Sequence, residues 1–157
     1  MKKLSHLDDR GEVKMVDVGC KAETRRTARA EGKVLASKKV MEAVKKNGLP
    51  KGNLFTTAKI AGIQGGKMTS ALVPLCHPLP LDNIKIDIST EGDSQFIVRA
   101  EASCTGRTGV EMEALTAAAI ACLTIYDMCK AIDKGMTITD IQLIEKTGGK
   151  SGHYKRK

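Results

Sequence analysis

The sequence predicts an α+β domain: a mostly antiparallel sheet with helices packed on one face. Three observations carry this. Residues 24–36 alternate with a period of two, residues 84–104 read strand, turn, strand, and residues 110–132 form one long apolar helix pattern. Helical stretches fall between the strands, so the sheet is not a run of simple hairpins.

Taken in order, residues 1–14 are polar and read as loosely ordered, with a short strand candidate at 13–18. In residues 24–36, charged side chains alternate with small or apolar ones, as in a half-exposed strand. Ser37 is placed to cap a first helix that runs to about Lys46 and is stopped by Asn47, Gly48 and Pro50. Asn53 caps a second helix over residues 54–63, with Gly65 and Gly66 read as its end and residues 69–75 as a continuation up to Pro74. Pro74, Pro78 and Pro80 exclude regular structure and make a rigid loop around Cys76 and His77. Ile84, Ile86 and Ile88 alternate with polar residues, Glu91-Gly92-Asp93 turns the chain, and residues 95–104 return. A last strand is expected at 137–145. The glycine-rich segment after Thr147 reads as mobile, so one domain over 1–157 has flexible ends at 1–14 and 148–157.

Composition narrows the function. Hydrophobic residues make up 41%, enough for a packed core, but aromatics only 3%, with little to stack on a base. A net charge of +8 suits an anionic partner, although some of it sits in Lys2-Lys3 and in the basic tail His153 to Lys157. Five cysteines without a CxxC spacing fit buried free thiols in a reducing compartment. With a polar N-terminus and no uncharged apolar run of about 18 residues, the expected setting is the cytoplasm, with no membrane span.

The helix over 110–132 is the most informative segment. Between Ala114 and Tyr126 it has no charge, yet Glu111 and Glu113 stand at its start and Asp127 and Lys130 near its end. An all-round apolar helix must be buried, and charges at its ends are costly there unless paired. They mark either a site or ordinary capping and ion pairing. At about 1.5 Å and about 100° per residue, Glu113 and Asp127 share a face about 21 Å apart. One small reacting group cannot touch both, so either the ligand is long or the two ends serve different sites.

Two segments suggest a phosphate loop and fail. The pattern GxxxxGK[ST] needs Gly at 61 and Ser or Thr at 68, where Ala61 and Met68 stand, or Gly at 144, where Ile144 stands. Residues 148–152 fit either a basic flap closing on an anion or an unstructured tail. Adjacent Cys76 and His77 lack a second ligand cluster, so no metal site is expected. His77, in its stiff loop, suits acid/base work or the bonding of loop backbone groups. Arg107, in a Gly-Arg-Thr-Gly loop entering the helix, puts a guanidinium beside helix N–H groups. With Lys51, Lys130 and Lys146 it favours a polyphosphate or nucleotide over a neutral ligand.

The chain resembles the cyclic pyranopterin monophosphate synthase family of molybdenum-cofactor biosynthesis. The strings that carry the likeness are Met15-Val-Asp-Val-Gly, Lys21-Ala-Glu-Thr-Arg, Thr57-Ala-Lys-Ile-Ala-Gly-Ile-Gln, Leu75-Cys-His-Pro-Leu, Thr108-Gly-Val-Glu-Met-Glu-Ala-Leu-Thr-Ala, Leu123-Thr-Ile-Tyr-Asp-Met-Cys-Lys-Ala and Gly148-Gly-Lys-Ser-Gly. Residues 33–50 and the last few are the least typical. The resemblance implies a ferredoxin-like protomer in a homohexamer, a trimer of dimers with interfacial active sites. It implies a lyase that converts a cyclised dihydro-GTP to cyclic pyranopterin monophosphate and releases pyrophosphate, with no redox cofactor. Mg²⁺ with the triphosphate is compatible but not required. By matching motif, Asp127, Lys130 and Lys51 are the catalytic residues. Leu75, Cys76, His77, Met112 and Glu113 match substrate contacts, and Arg107, Glu111 and Lys146 match residues that hold or neutralise the substrate. The family's loop is typically Gly-Lys-Thr-Gly. Arg107 keeps the charge and can bind phosphate bidentately, but it is a poor proton donor. The competing class, a basic RNA- or nucleotide-binding module, accounts for the charge but not for acids in an apolar helix. Steep loss of affinity with salt would distinguish it.

Overall fold

Side-chain alternation builds the central strand first. In β1 (Thr24–Leu35), Ala28, Ala30, Gly32 and Val34 face inward, while Arg29, Glu31 and Lys33 face out. The same period in β3 (Gln95–Gly106) buries Phe96, Val98, Ala100, Ala102 and Cys104. These strands pair antiparallel with Ala30 opposite Ala100, which sets Arg29 against Glu101 and Glu31 against Arg99. Both charged pairs close, at 2.6 and 3.0 Å. Exposed pairs of this kind add about 0.2–1 kcal/mol each, but a one-residue slip would put every charge in the core, so together they fix the register.

The computed structural model describes residue 7 and residues 10–46, 49 and 51–157. Around the central pair lie α1 (Lys38–Lys45), α2 (Leu54–Lys67), α3 (Thr69–Leu72), β2 (Asn83–Glu91), α4 (Glu111–Cys129), β4 (Thr137–Thr147) and β5 (Tyr154–Lys155). The sheet order is β2-β3-β1-β4-β5, antiparallel throughout. Helices α1 to α3 cross from β1 to β2 over β3, and α4 crosses from β3 to β4 over β1. Two interleaved split β-α-β units of this kind are the ferredoxin-like arrangement.

The buried core lies between the sheet and the α2–α4 pair. It is aliphatic, with Phe55 and Phe96 in edge contact at 6.5 Å as its aromatic element. All five cysteines are free thiols, with Cys104, Cys122 and Cys129 inside.

Several elements differ from the sequence expectation. Residues 13–18 form no strand. Val13 makes an isolated bridge to Leu7, and the Val16 backbone carbonyl is taken up by a side chain, His77 Nε2 at 2.8 Å, rather than by a strand. The turn expected at Asn47, Gly48 and Pro50 lies outside the described residues. Ser37 is the N-cap of α1, but it is its backbone N–H that finds a partner, donating to Asp133 Oδ2 at 3.2 Å. Asn53 caps α2 as expected, its side chain accepting from the Thr56 amide at 2.9 Å. The tail after β4 folds back: Tyr154 and Lys155 pair with Lys146 and Glu145.

The largest correction concerns the glycines of α2, which do not stop the helix. They are the surface on which α4 sits. A Cβ at Gly62 would lie 2.8 Å from the Ala117 carbonyl oxygen and 2.3 Å from Ile86, and one at Gly65 2.6 Å from Ile120. One at Gly66 would come within 3.1 Å of the Glu113 carbonyl oxygen. By length and composition α4 could cross a bilayer. In this fold its Ala114, Ala117, Ala118 and Ala121 are wholly buried against the sheet and α2. Its burial is not all-round, however: Leu123 is 53% exposed and Met112 39%, and on α2 Ile60 is 63% exposed.

Gly62→Ala tests the contact. Alanine improves helix propensity by about 1 kcal/mol, whereas overpacking against a backbone carbonyl costs about 1–3 kcal/mol. The collision should win, so urea denaturation should show a net loss of stability. A stabilised variant would mean that the helices do not approach this closely.

Candidate active site

Each end of α4 carries a different set of groups. At its C-terminus the loop before α2 brings in Lys51, whose Nζ donates to Asp127 Oδ2 at 2.6 Å and to the Asp127 carbonyl at 3.0 Å. The second bond satisfies one of the carbonyls that a helix end leaves free. Lys130, one turn on, closes on Asp127 Oδ1 at 2.7 Å. All three side chains are about half exposed. Lys130 and then Lys51 pull the Asp127 carboxyl down to about 2, and Asp127 in turn raises the Lys130 ammonium. Near neutrality the cluster is one carboxylate gripping two ammonium ions. The lysines are the N–H donors of the cluster and the Asp127 carboxylate is their shared acceptor.

At the N-terminus of α4, Leu75, Cys76, His77, Glu111, Met112 and Glu113 line a cavity of about 460 Å³, with Val16 and Val18 across from them. Glu113 is 4% exposed and has no ion-pair partner among the described residues. Burial raises its carboxyl, its own amide lowers it, and nearby Glu111 raises it further. Burial, then the charge of Glu113, also raises Cys76, which keeps it a neutral thiol rather than a nucleophile. His77 Nε2 lies 2.8 Å from the Val16 carbonyl. A carbonyl only accepts, so Nε2 is the donor in this bond. The same bond fastens the irregular 13–18 segment as a wall of the pocket.

A second cavity of about 750 Å³ adjoins the first, and Lys21, Thr108, Gly109 and Glu111 line both. Its walls carry Lys21, Arg26, Arg107, Lys146 and Lys150. Lys146 Nζ sits 3.3 Å from Glu111, and Arg107 Nε 3.6 Å from Glu23. Arg26 donates from Nε to the Gly106 carbonyl at 2.8 Å and from Nη2 to the Arg107 carbonyl at 3.2 Å, fixing the loop that starts α4. Five cations against few acids, beside a helix N-terminus, make an anion cleft of polyphosphate size.

The sequence-predicted residues thus fall into two groups. Lys51, Asp127 and Lys130 stand together, and the other eight line the joined cavities. None of the first three lines either cavity. Lys21 and Arg26 were missed, and Lys150 entered only through the reading of residues 148–152 as either a basic flap or a tail. Arg26 left a signal: by the period of β1 it falls on the inward face with Ala28, Ala30 and Val34, where a charge needs a reason. Among the described residues no three His, Cys, Asp or Glu side chains gather in a metal-binding group. A smaller cavity of about 330 Å³ on the open sheet face is lined by Arg29, Glu31, Lys85, Asp87, Arg99 and Glu101, charges already paired with one another or with neighbours. It brings no unpaired acid or base together.

A ferredoxin-like α+β domain that sets a buried acid beside a polycationic cleft defines the class. The sequence profile of the MoaC family matches residues 15–149. The chain belongs to this family, the cyclic pyranopterin monophosphate synthases, and is an enzyme of molybdenum-cofactor biosynthesis.

Carboxyl NMR titration checks the Asp127 cluster. Its folded value, about 2, lies below the ordinary carboxylate value of about 3.9. The cluster's contribution to stability is therefore complete above about pH 4 and is lost as pH falls through the folded value. Lys130→Ala should move the Asp127 midpoint up toward the ordinary value. An ordinary midpoint in the unaltered protein would show that the cluster does not form in solution.

Proposed function

We propose that the protein converts (8S)-3',8-cyclo-7,8-dihydroguanosine 5'-triphosphate to cyclic pyranopterin monophosphate, releasing pyrophosphate. The observation that carries this reading is the adjacency of the buried Glu113 pocket to the cleft of Lys21, Arg26, Arg107, Lys146 and Lys150. A ligand with a ring system and a polyphosphate chain suits that pair of spaces. The chemistry consists of proton transfers in ring opening and reclosure, together with loss of pyrophosphate as a cyclic phosphate forms. It calls for general acids and bases and an electrostatic clamp on the leaving group.

In this reading Lys51 and Lys130 are the proton carriers and Asp127 holds them. Glu113, whose burial favours the neutral acid, and His77 contact the ring system. Arg107 serves phosphate rather than proton transfer, since guanidinium does not give up its proton near neutrality. Because Glu113 and Asp127 stand about 21 Å apart along α4, the site is proposed to form between protomers of a homohexamer, one chain giving its Asp127 end and a neighbour its Glu113 end. Ile60 and Leu123, both more than half exposed, are apolar surface that packing by such a neighbour would cover.

The test supplies the cyclised nucleotide and measures pyrophosphate. Lys51→Ala and Asp127→Ala should each lower the rate by about 10²–10⁴-fold, the usual share of general acid/base groups, with unchanged circular dichroism. Full activity in both would sink the assignment. Mixing inactive Asp127→Ala with inactive His77→Ala protein, after dissociation and reassembly, should restore part of the activity. No restoration would argue that one chain supplies the whole site.

A further inference from the structure

The turn between β4 and β5 stands beside the basic cleft and contributes Lys150 and Ser151 to its lining. Gly148, Gly149 and Gly152 adopt φ of +89°, +74° and +67°, a region that other residues enter only under strain. The Gly152 amide donates to the Gly149 carbonyl at 3.1 Å and closes the turn. Gly149 lies directly on Arg26, since a Cβ there would come 2.2 Å from its Nη1. The far side is anchored too. Tyr154 pairs with Lys146, Arg156 N donates to the Ile144 carbonyl at 2.8 Å, and His153 Nε2 meets Glu145 at 2.8 Å. The turn is therefore held on both flanks, with Lys150 and Ser151 at its tip.

Both tip residues line the cavity that holds Arg26, Arg107 and Lys146. Lys150 has no carboxylate partner among the described residues. Ser151 Oγ accepts a hydrogen bond from Lys146 Nζ, which also meets Glu111. An ammonium has three N–H donors, so one remains uncommitted on Lys146. A hydroxyl that accepts from an ammonium still has its own O–H to donate. We infer that Ser151 is a positioning residue that aims Lys146 into the cleft, and that Lys150 is a direct contact for a phosphate-bearing ligand, so that the glycine turn acts as one jaw of a phosphate clamp. This rests on the reading of the cleft as the phosphate subsite. The carriers of proton transfer at the Asp127 end are separate from it.

Calorimetric titration with inorganic pyrophosphate, and separately with GTP as an intact triphosphate, tests the inference without requiring turnover. Ser151→Ala and Lys150→Ala should each weaken pyrophosphate binding about tenfold, the scale of a hydrogen bond to a charged group. Ser151→Thr, which keeps the hydroxyl, should bind nearly as the unaltered protein does. Lys155→Ala, which removes an equal charge from exposed β5, should change little. Weakening in both arms assigns the turn to a triphosphate, and weakening for pyrophosphate alone assigns it to the released product. Either outcome supports the clamp. Unaltered binding of both ligands by Ser151→Ala and Lys150→Ala overturns it, even if pyrophosphate release from the cyclised nucleotide is observed. Conversely, turn-dependent binding in a protein that releases no pyrophosphate would keep the clamp and remove the proposed reaction. In turnover, Ser151→Ala should raise KM more than it lowers kcat.

Discussion

The close approach of α2 to α4 governs where everything else lies. Glycines on one helix and alanines on the other let backbone meet backbone, so α4 is pressed between the sheet and α2 along its middle turns. Such a contact tolerates no added methyl without displacement, because packed interiors have few voids to absorb it. It fixes the axis of α4, and with it the positions of both charged ends. The loop bearing Lys51 begins α2 and reaches the C-terminus of α4 for this reason. The prolines between α3 and β2 likewise carry Cys76 and His77 to its N-terminus.

Two carboxylates on one helix are thereby driven in opposite directions. Asp127 is open to solvent and bonded to two ammonium groups, and it is held far below its ordinary value. Glu113 is buried, with no ion-pair partner among the described residues, and is raised. The helix dipole at its N-terminus opposes that rise, but a dipole contributes about 0.3–1 kcal/mol. Desolvating a carboxylate costs more than that, so burial sets the direction. One helix thus carries one carboxylate held low by two ammonium groups and another raised by burial.

Much of this was legible in the residues. The period of two in β1, the isoleucine alternation of β2 and the apolar run of α4 named their elements, since each depends only on near neighbours in the chain. The list of site residues came through motif likeness, and the geometry groups it into two sets. The role of the α2 glycines was not legible. Glycine in a helix pattern reads equally as an end or as a contact surface, and only the presence of α4 decides between them. The order of residues 148–157 was also hidden, because the strand they pair with lies just behind them and the glycine content alone suggested mobility.

The sequence by itself determined the element types, the antiparallel α+β class, the chemistry of each candidate group and the family. These are properties of local pattern and residue identity. Only the tertiary structure decided which groups meet and in what charge state. Lys51 reaches Asp127 across 76 residues of chain, Arg26 reaches the Gly106 carbonyl across 80, and Glu113 is raised by burial that sheet and helices create together. Burial and pairing are relations between distant segments, and no periodicity along the chain records them.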